Sequence, residues 1–342
     1  MLILNAAEVQ RSLPMPQAVA AMKEAFAALH SGRAIVPPRG RLESPAQCGI
    51  TFVMPARVND LLIGDVVSAS GKSRAALTVK VVSVFTRNPE RGVRRINAAV
   101  LVLDPETGVP IAMLEGATLT AIRTAAASGA ATDLLARPDA HQLAILGAGV
   151  EARTHIRAIC AVRPIEAVRV YSPTRSNVEQ LIDELSRDET VSATITAADS
   201  PAEAVRNADV VCTVTTSTTP VFSDDDLASR VHINAVGSFK PHVVEIPAET
   251  VCRARVFVDS REAAWDEAGD LIQPLEAGLI TKDHVLAELG ELIEQASRGE
   301  LVSGESGVTL FKSVGVAVQD SVAAAVALQN AKLLSLGQTV DW

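Results

Sequence analysis

"QLAILGAGVEARTHIRAI", residues 142 to 159, opens as a short aliphatic run, breaks at Gly-Ala-Gly and resumes with a helical spacing of residues. Leu143 to Leu146 has the continuous apolar character of a parallel strand buried on both faces, while Ala152, His155, Ile156 and Ile159 recur along one helix face. Between them Gly147, Gly149 and Ala152 form GxGxxA. In a strand-turn-helix setting the first glycine permits a tight turn, the second lets a pyrophosphate approach the backbone, and the small third residue lets helix and strand pack closely. N–H groups at the helix start then face phosphate. The stretch predicts a dinucleotide-binding unit.

The next strand bears on which dinucleotide. "VRVY", Val168 to Tyr171, leads into "SPTR", where an NAD site usually places an acidic residue for the ribose 2'-hydroxyl. Here Ser172, Thr174 and Arg175 offer two hydroxyls and a guanidinium, which suit a 2'-phosphate. This reads as NADPH, with NADH possible: the alternative is that Arg175 is a solvated loop charge beside a site that takes either nucleotide.

The rest of the chain suits a two-core cofactor enzyme. Its 342 residues are 48% hydrophobic but only 3% aromatic, which implies cores of Ala, Val, Leu and Ile. A net charge of -9 argues against nucleic acid or an anionic membrane as partner, since both call for a basic face. Cys48, Cys160, Cys212 and Cys252 are scattered without metal-ligand spacing, and no metal site is expected. The start "MLILNAAEVQRSL" lacks the features of a secretory leader, and no apolar run is long enough to span a bilayer, so a cytoplasmic protein is expected.

After the second strand come "VSATI" (Val191 to Ile195), a short helix from about Pro201, "ADVVCTVTTS", "VHINAVGS" and "ARVFVDS". Strands alternating with helices predict a Rossmann-type doubly wound parallel sheet, with Thr215 and the Val236, Gly237, Ser238 turn at the strand ends where ligands bind. Residues 1–125 read differently. A helix from about Pro16 to Leu29 precedes "GITFVMP", "ALTVKVVSVF", "INAAVLVLD" and "PIAMLEG", strands in succession that predict a mainly antiparallel, half-buried sheet in an α+β domain. "TLTAIRTAAASGAATDLLA" is a small-residue helix linking the two, and "TLFKSVGVAVQDSVAAAVALQNAKLL" is read as another that returns to the first domain. The expected division is therefore 1–125 completed by 313–342, with 126–312 as the dinucleotide domain.

Two cations stand in apolar surroundings. Alternation in "LTVKVVSV" puts Lys80 on one face with Thr78 and Val82, and Arg123 lies among residues too small to cover it. Either each snorkels or pairs with a carboxylate, or, together with Arg39 of "PPRG", they receive a small carboxylate substrate.

"TLTAIRTAAAS", "AILGAGVEARTHIRAI", "INAVGS" and "FKSVGVAVQD", in this order, resemble the ornithine cyclodeaminase/mu-crystallin family over nearly the whole chain. The resemblance implies a homodimer associating through the N-terminal sheets and NAD(P)-dependent chemistry at the α-carbon of an amino or imino acid. It implies Arg39, Lys80, Arg123 and Val314 on the substrate, Lys80 and Arg123 being the catalytic pair. On the dinucleotide it implies Arg95, Arg123, Thr124, Gly147, Gly149, Val150, Glu151, Ser172, Thr174, Arg175, Thr215, Ile233 to Val236, Gly237, Ser238 and Ser313.

Two departures decide within the family. An ornithine cyclodeaminase has an Asp two residues after the glycine of "NAVG" and a Glu two residues before "MP"; this chain has Phe239 and Phe52. Releasing ammonia needs acid and base groups, so cyclodeamination is disfavoured. Reducing a cyclic ketimine needs mainly orientation of a protonated imine against the hydride donor. The expectation is an NADPH-dependent reductase of Δ1-pyrroline-2-carboxylate or Δ1-piperideine-2-carboxylate, yielding L-proline or L-pipecolate. The alternatives are ornithine cyclodeaminase, another amino-acid or opine dehydrogenase, and a non-enzymatic NADP-dependent binding protein. The segment from Pro55 to Lys80 is longer than the family leads one to expect, and its "SASGKS" reads as an exposed loop near the cleft, suited to a different substrate.

Overall fold

The computed structural model describes residues 1–63, 74–300 and 307–341. "SASGKS", residues 68–73, lies outside the described residues. The chain forms two compact units, one of residues 1–123 with 316–342, the other of residues 124–315.

The first unit is built on strands β1 (Leu2–Leu4), β2 (Ala34–Ile35), β3 (Gly40–Ser44), β4 (Gly49–Val58), β5 (Ala76–Phe85), β6 (Ile96–Leu103) and β7 (Pro110–Glu115). β4 to β7 pair antiparallel in succession, β1 adds parallel to β7, and the short strand Gln338–Thr339 closes that edge. Alternation in β5 is complete: Ala76, Thr78, Lys80, Val82 and Val84 are buried, while the residues between them are partly or largely exposed. The buried face is covered by the helix Ala317–Leu333, which also packs on the helix Met15–His30. Six of that C-terminal helix's seventeen residues are alanines, which let it lie close to the sheet, and it is buried almost all round. Ser321 of this helix hydrogen-bonds Thr78 of β5 and donates to the carbonyl of Ala56 in β4, fixing its register on the sheet.

The second unit holds β8 (Gln142–Leu146), β9 (Ala167–Tyr171), β10 (Thr194–Ala197), β11 (Val210–Thr213), β12 (Val231–Ala235), β13 (Arg255–Val258), β14 (Val285–Glu288) and β15 (Val308–Lys312). All are parallel, in the order β10-β9-β8-β11-β12-β15-β13-β14. Aliphatic cores lie on both faces, as a doubly wound sheet requires. The order reverses between β8 and β11, and a dinucleotide fold binds its ligand at such a switch point.

Two sequence readings are corrected. "TLFK" is the start of no helix: Val308–Lys312 is a strand inserted between β12 and β13, every residue of it buried. A central strand has no exposed face and so no alternation to betray it, and a buried run of that length reads equally as helix. In "VSATI" the strand begins only at Thr194, because the N–H of Val191 closes a turn onto Asp188.

Candidate active site

In the second unit the glycine turn has the required geometry. Gly147 takes φ +116°, and a side chain there would meet the carbonyl oxygen of Val214, just past the end of β11, at 2.6 Å. Only glycine fits that turn. Its N–H donates to the carbonyl of Tyr171, so β9 and the residues after it lie beside the turn. Gly149 is the N-cap of the helix Val150–Cys160 and no side chain caps it, and a side chain added at Gly149 would meet open space. Uncapped helix N–H groups beside open space are what a pyrophosphate needs. Arg153 braces the turn from within the helix, donating to the carbonyls of Ala148 and Gly149. The residues present fit a dinucleotide.

Ser172 and Thr174 follow β9, and the N–H of Thr174 lies 3.4 Å from the Ser172 hydroxyl. Arg175 is exposed and lies 3.1 Å from Asp199 and 3.6 Å from Glu179. Asp199, two residues past β10, carries no local sequence signal; it sets a carboxylate against the guanidinium that would meet a 2'-phosphate. Val150 is exposed, and Glu151, in the first helical turn, has a carboxylate oxygen 3.7 Å from His155 Nδ1. Thr124 is buried, and Arg95, half-buried, immediately precedes β6.

Beyond β11 and β12, Thr215, Val236 and Gly237 are half-buried. Ser238 and Ser313 are not available in the same way. Ser238 is fully buried, its N–H on Glu245 and its hydroxyl on the carbonyl of Val243, while Ser313 donates its hydroxyl to Asp259 and its N–H to Ala235. Their side chains shape the turns rather than face outward. Ile233 is likewise wholly within the core of β12. Val314, half-buried, donates its N–H to the same Asp259 carboxylate.

In the first unit Lys80 and Arg123 meet one acid. Lys80 Nζ lies 2.6 Å from Asp320 Oδ2, and Arg123 Nε lies 3.2 Å from Asp320 Oδ1. Arg123 also donates to Gln319 Oε1 at 3.0 Å. All four side chains are buried. The carboxylate partner left open by the sequence is therefore Asp320. It stands in the quoted "FKSVGVAVQD", but a single acid in an alanine-rich helix carries no local sign of what it faces. Arg39 stacks over the Phe52 ring at 5.3 Å, so the Phe that replaces an acid supports a cation.

Burial pushes the Lys80 ammonium down from its ordinary value to about 8; Asp320 opposes the shift, while Arg123 and Arg39 add to it. Lys80 and Arg123 thus share one carboxylate, and Arg39 lies near enough to act on the Lys80 charge, a group of cations that suits a small anion. Lys80, Arg39 and Phe52 lie on the buried side of the sheet with Met54, Val82, Ala98 and Ala317, which sets an apolar wall beside the cations.

The model of the ornithine cyclodeaminase/mu-crystallin family matches residues 1–333. The Delta(1)-pyrroline-2-carboxylate reductase of Bacillus cereus is 36% identical over 343 residues, covering 100% of both chains. The ketimine reductase mu-crystallin of Mus musculus is 36% identical over 275 residues, 80% of this chain and 82% of the other. Among solved structures, Thermococcus litoralis Delta(1)-pyrroline-2-carboxylate reductase in complex with NADH and L-proline superposes with a TM-score of 0.89 at 34% identity, over 99% of this chain and 100% of that one.

Proposed function

The chain belongs to the ornithine cyclodeaminase/mu-crystallin family, and from that premise we propose that it reduces a cyclic ketimine bearing a carboxylate on the imine carbon. The substrate is Δ1-pyrroline-2-carboxylate or its six-membered homologue Δ1-piperideine-2-carboxylate, the product L-proline or L-pipecolate, and the reductant NADPH, with NADH also accepted. One observation carries the reading: Lys80 and Arg123 meet on a single acid, Arg39 stacks on Phe52, and Phe52 and Phe239 occupy the two positions where a cyclodeaminase has its acids. The likeness to reductases from Bacillus cereus and Thermococcus litoralis supports it.

Lys80 and Arg39 hold the substrate carboxylate as a charge-assisted pair. Asp320 keeps the Lys80 ammonium charged and aimed, and Arg123, tied to both Asp320 and Gln319, fixes Asp320 in turn. The apolar wall of Met54, Val82 and Phe52 excludes water and strengthens those contacts. Gly147, Gly149, Val150 and Glu151 hold the pyrophosphate side of the dinucleotide, Ser172, Thr174 and Arg175 its adenosine ribose, and Thr215, Val236 and Gly237 the other half. The bound dinucleotide supplies the hydride. No acid of the protein is needed at the ring nitrogen: the substrate binds as the iminium, gains hydride at carbon and leaves as an amine that takes its next proton from water.

The enzyme works as a cytoplasmic homodimer in this reading. Leu77, Val79, Val81, Leu101 and Met113 lie on the sheet face opposite Lys80, all partly exposed, and an apolar sheet face of this kind is covered by a second copy. Among the described residues no helix is long and apolar enough to cross a membrane.

The test is loss of the reduced-nicotinamide absorbance on mixing with five- and six-membered cyclic imines, with linear oxo acids plus ammonia as controls. Turnover of a cyclic imine is expected. Saturable dinucleotide binding without oxidation of any of these would replace the enzyme with a binding protein.

A further inference from the structure

Glu245 is wholly buried in the second unit, yet its carboxylate accepts four hydrogen bonds. They come from Thr213 Oγ1 at 3.1 Å, Thr215 N at 2.8 Å, Thr215 Oγ1 at 2.5 Å and Ser238 N at 3.2 Å. These donors belong to the ends of β11 and β12, neighbouring parallel strands on the side of the switch point away from β9 and β10. The turn after β12 is pressed against the same group, for a side chain at Gly237 would lie 2.6 Å from either carboxylate oxygen.

The carboxylate is itself held from behind. Asp270 Oδ1 accepts the N–H groups of Glu245 and Ile246 at 2.6 and 3.0 Å, and its other oxygen pairs with Lys312 at 2.8 Å, at the end of β15. Burying this many charges stabilises a fold no better than apolar packing would, so the arrangement calls for a role that direction, not burial, supplies. Direction is what it supplies to Thr215. That half-exposed hydroxyl spends its proton on Glu245 and already accepts the N–H of Ser217 at 3.0 Å, which leaves it one lone pair, and no proton, for anything outside.

We propose that Glu245 is a positioning residue that fixes Thr215 as a hydrogen-bond acceptor, and the Val236–Gly237 turn beside it, for the nicotinamide half of the dinucleotide. The assignment to that half follows from topology: the pyrophosphate lies at the turn after β8, the adenosine ribose meets the end of β9, and the remaining half falls across the switch point over β11 and β12. That half presents an amide NH2 and ribose hydroxyls, donors that match an acceptor. The inference rests on the dinucleotide-dependent reading above.

The test is dinucleotide affinity, read by quenching of protein fluorescence or by calorimetry, with adenosine 2',5'-bisphosphate as a probe that lacks both nicotinamide and its ribose. Glu245→Gln is expected to weaken NADPH and NADH at least tenfold while leaving the probe within twofold of wild type. Thr215→Val should reproduce that loss, Thr215→Ser should restore it, and the double variant Glu245→Gln/Thr215→Val should be no worse than either single one. The Thr215 pair carries the test by itself if Glu245→Gln does not fold. Wild-type affinity for the dinucleotides in Thr215→Val, or equal loss of dinucleotide and probe in either variant, would overturn the inference. Wild-type protein that binds neither dinucleotide would overturn the reading beneath it instead.

Discussion

Lys80 and Asp320 form an ion pair of 2.6 Å with both side chains 1% exposed, joining the middle of a strand to the first turn of the C-terminal helix. Removing one partner of such a pair leaves a buried charge uncompensated, at about 3–5 kcal/mol. Asp320→Asn should therefore lower stability by that order in chemical denaturation and depress imine reduction severely. Replacing all three charges by apolar residues, Lys80→Met and Arg123→Met with Asp320→Leu, should recover most of the stability and none of the activity. Activity in the triple variant would show that these charges only support the fold.

The alkaline limb of the rate profile follows from the same lysine. Its folded value of about 8 lies below the ordinary 10.5, so the cation is present below pH 8 and is lost as pH rises through it. If the charged form holds the substrate carboxylate, kcat/KM for the imine should fall tenfold per pH unit above that point. Lys80→Arg should move the limb upward, because a guanidinium stays charged. A flat profile to pH 10 would separate Lys80 from substrate binding.

Cofactor choice depends on Arg175 and on the acid beside it. Arg175→Ala should raise the KM for NADPH at least tenfold more than that for NADH, since charge-assisted hydrogen bonds to a phosphate contribute about 1.5–3 kcal/mol. Asp199 lies 3.1 Å from this guanidinium, and Asp199→Asn should shift preference further toward NADPH. Parallel changes for the two cofactors would place Arg175 outside the ribose site.

Phe239 and Phe52 predict what the protein will not do. With L-ornithine and NADP+ it should release no ammonia under conditions in which a cyclic imine is reduced rapidly, because neither position offers a group to protonate the leaving amine. An ammonia assay decides this, and rapid release would mean that another acid does the work.

Acid should weaken the second unit. His155 and His232 are buried, and burial pushes them from 6.5 to about 4 and about 3 respectively. Below pH 6.5 the unfolded chain takes up protons that the folded one refuses, so stability falls as pH falls toward those values. At pH 5 each contributes a loss of about 2 kcal/mol relative to pH 8. Urea unfolding at the two pH values should show it, and His232→Asn should reduce the difference by about half.

What the sequence determined by itself was whatever local pattern controls. The glycine turn was legible because strand, turn and helix lie within eighteen residues and each step has a steric reason. The inward face of Lys80 was legible from alternation in β5, and Arg123 stood out as a charge among apolar neighbours. Tertiary structure decided the rest. Arg123 and Asp320 are 197 residues apart in sequence, and nothing near Asp320 in an alanine-rich helix buried on all sides says which cations it will meet. The strand Val308–Lys312 passed for helix because a strand buried on both faces loses the period that distinguishes it. Glu245 was invisible for the same reason as Asp320: a buried carboxylate is defined by the donors that converge on it, and those come from strands whose adjacency only the folded sheet creates.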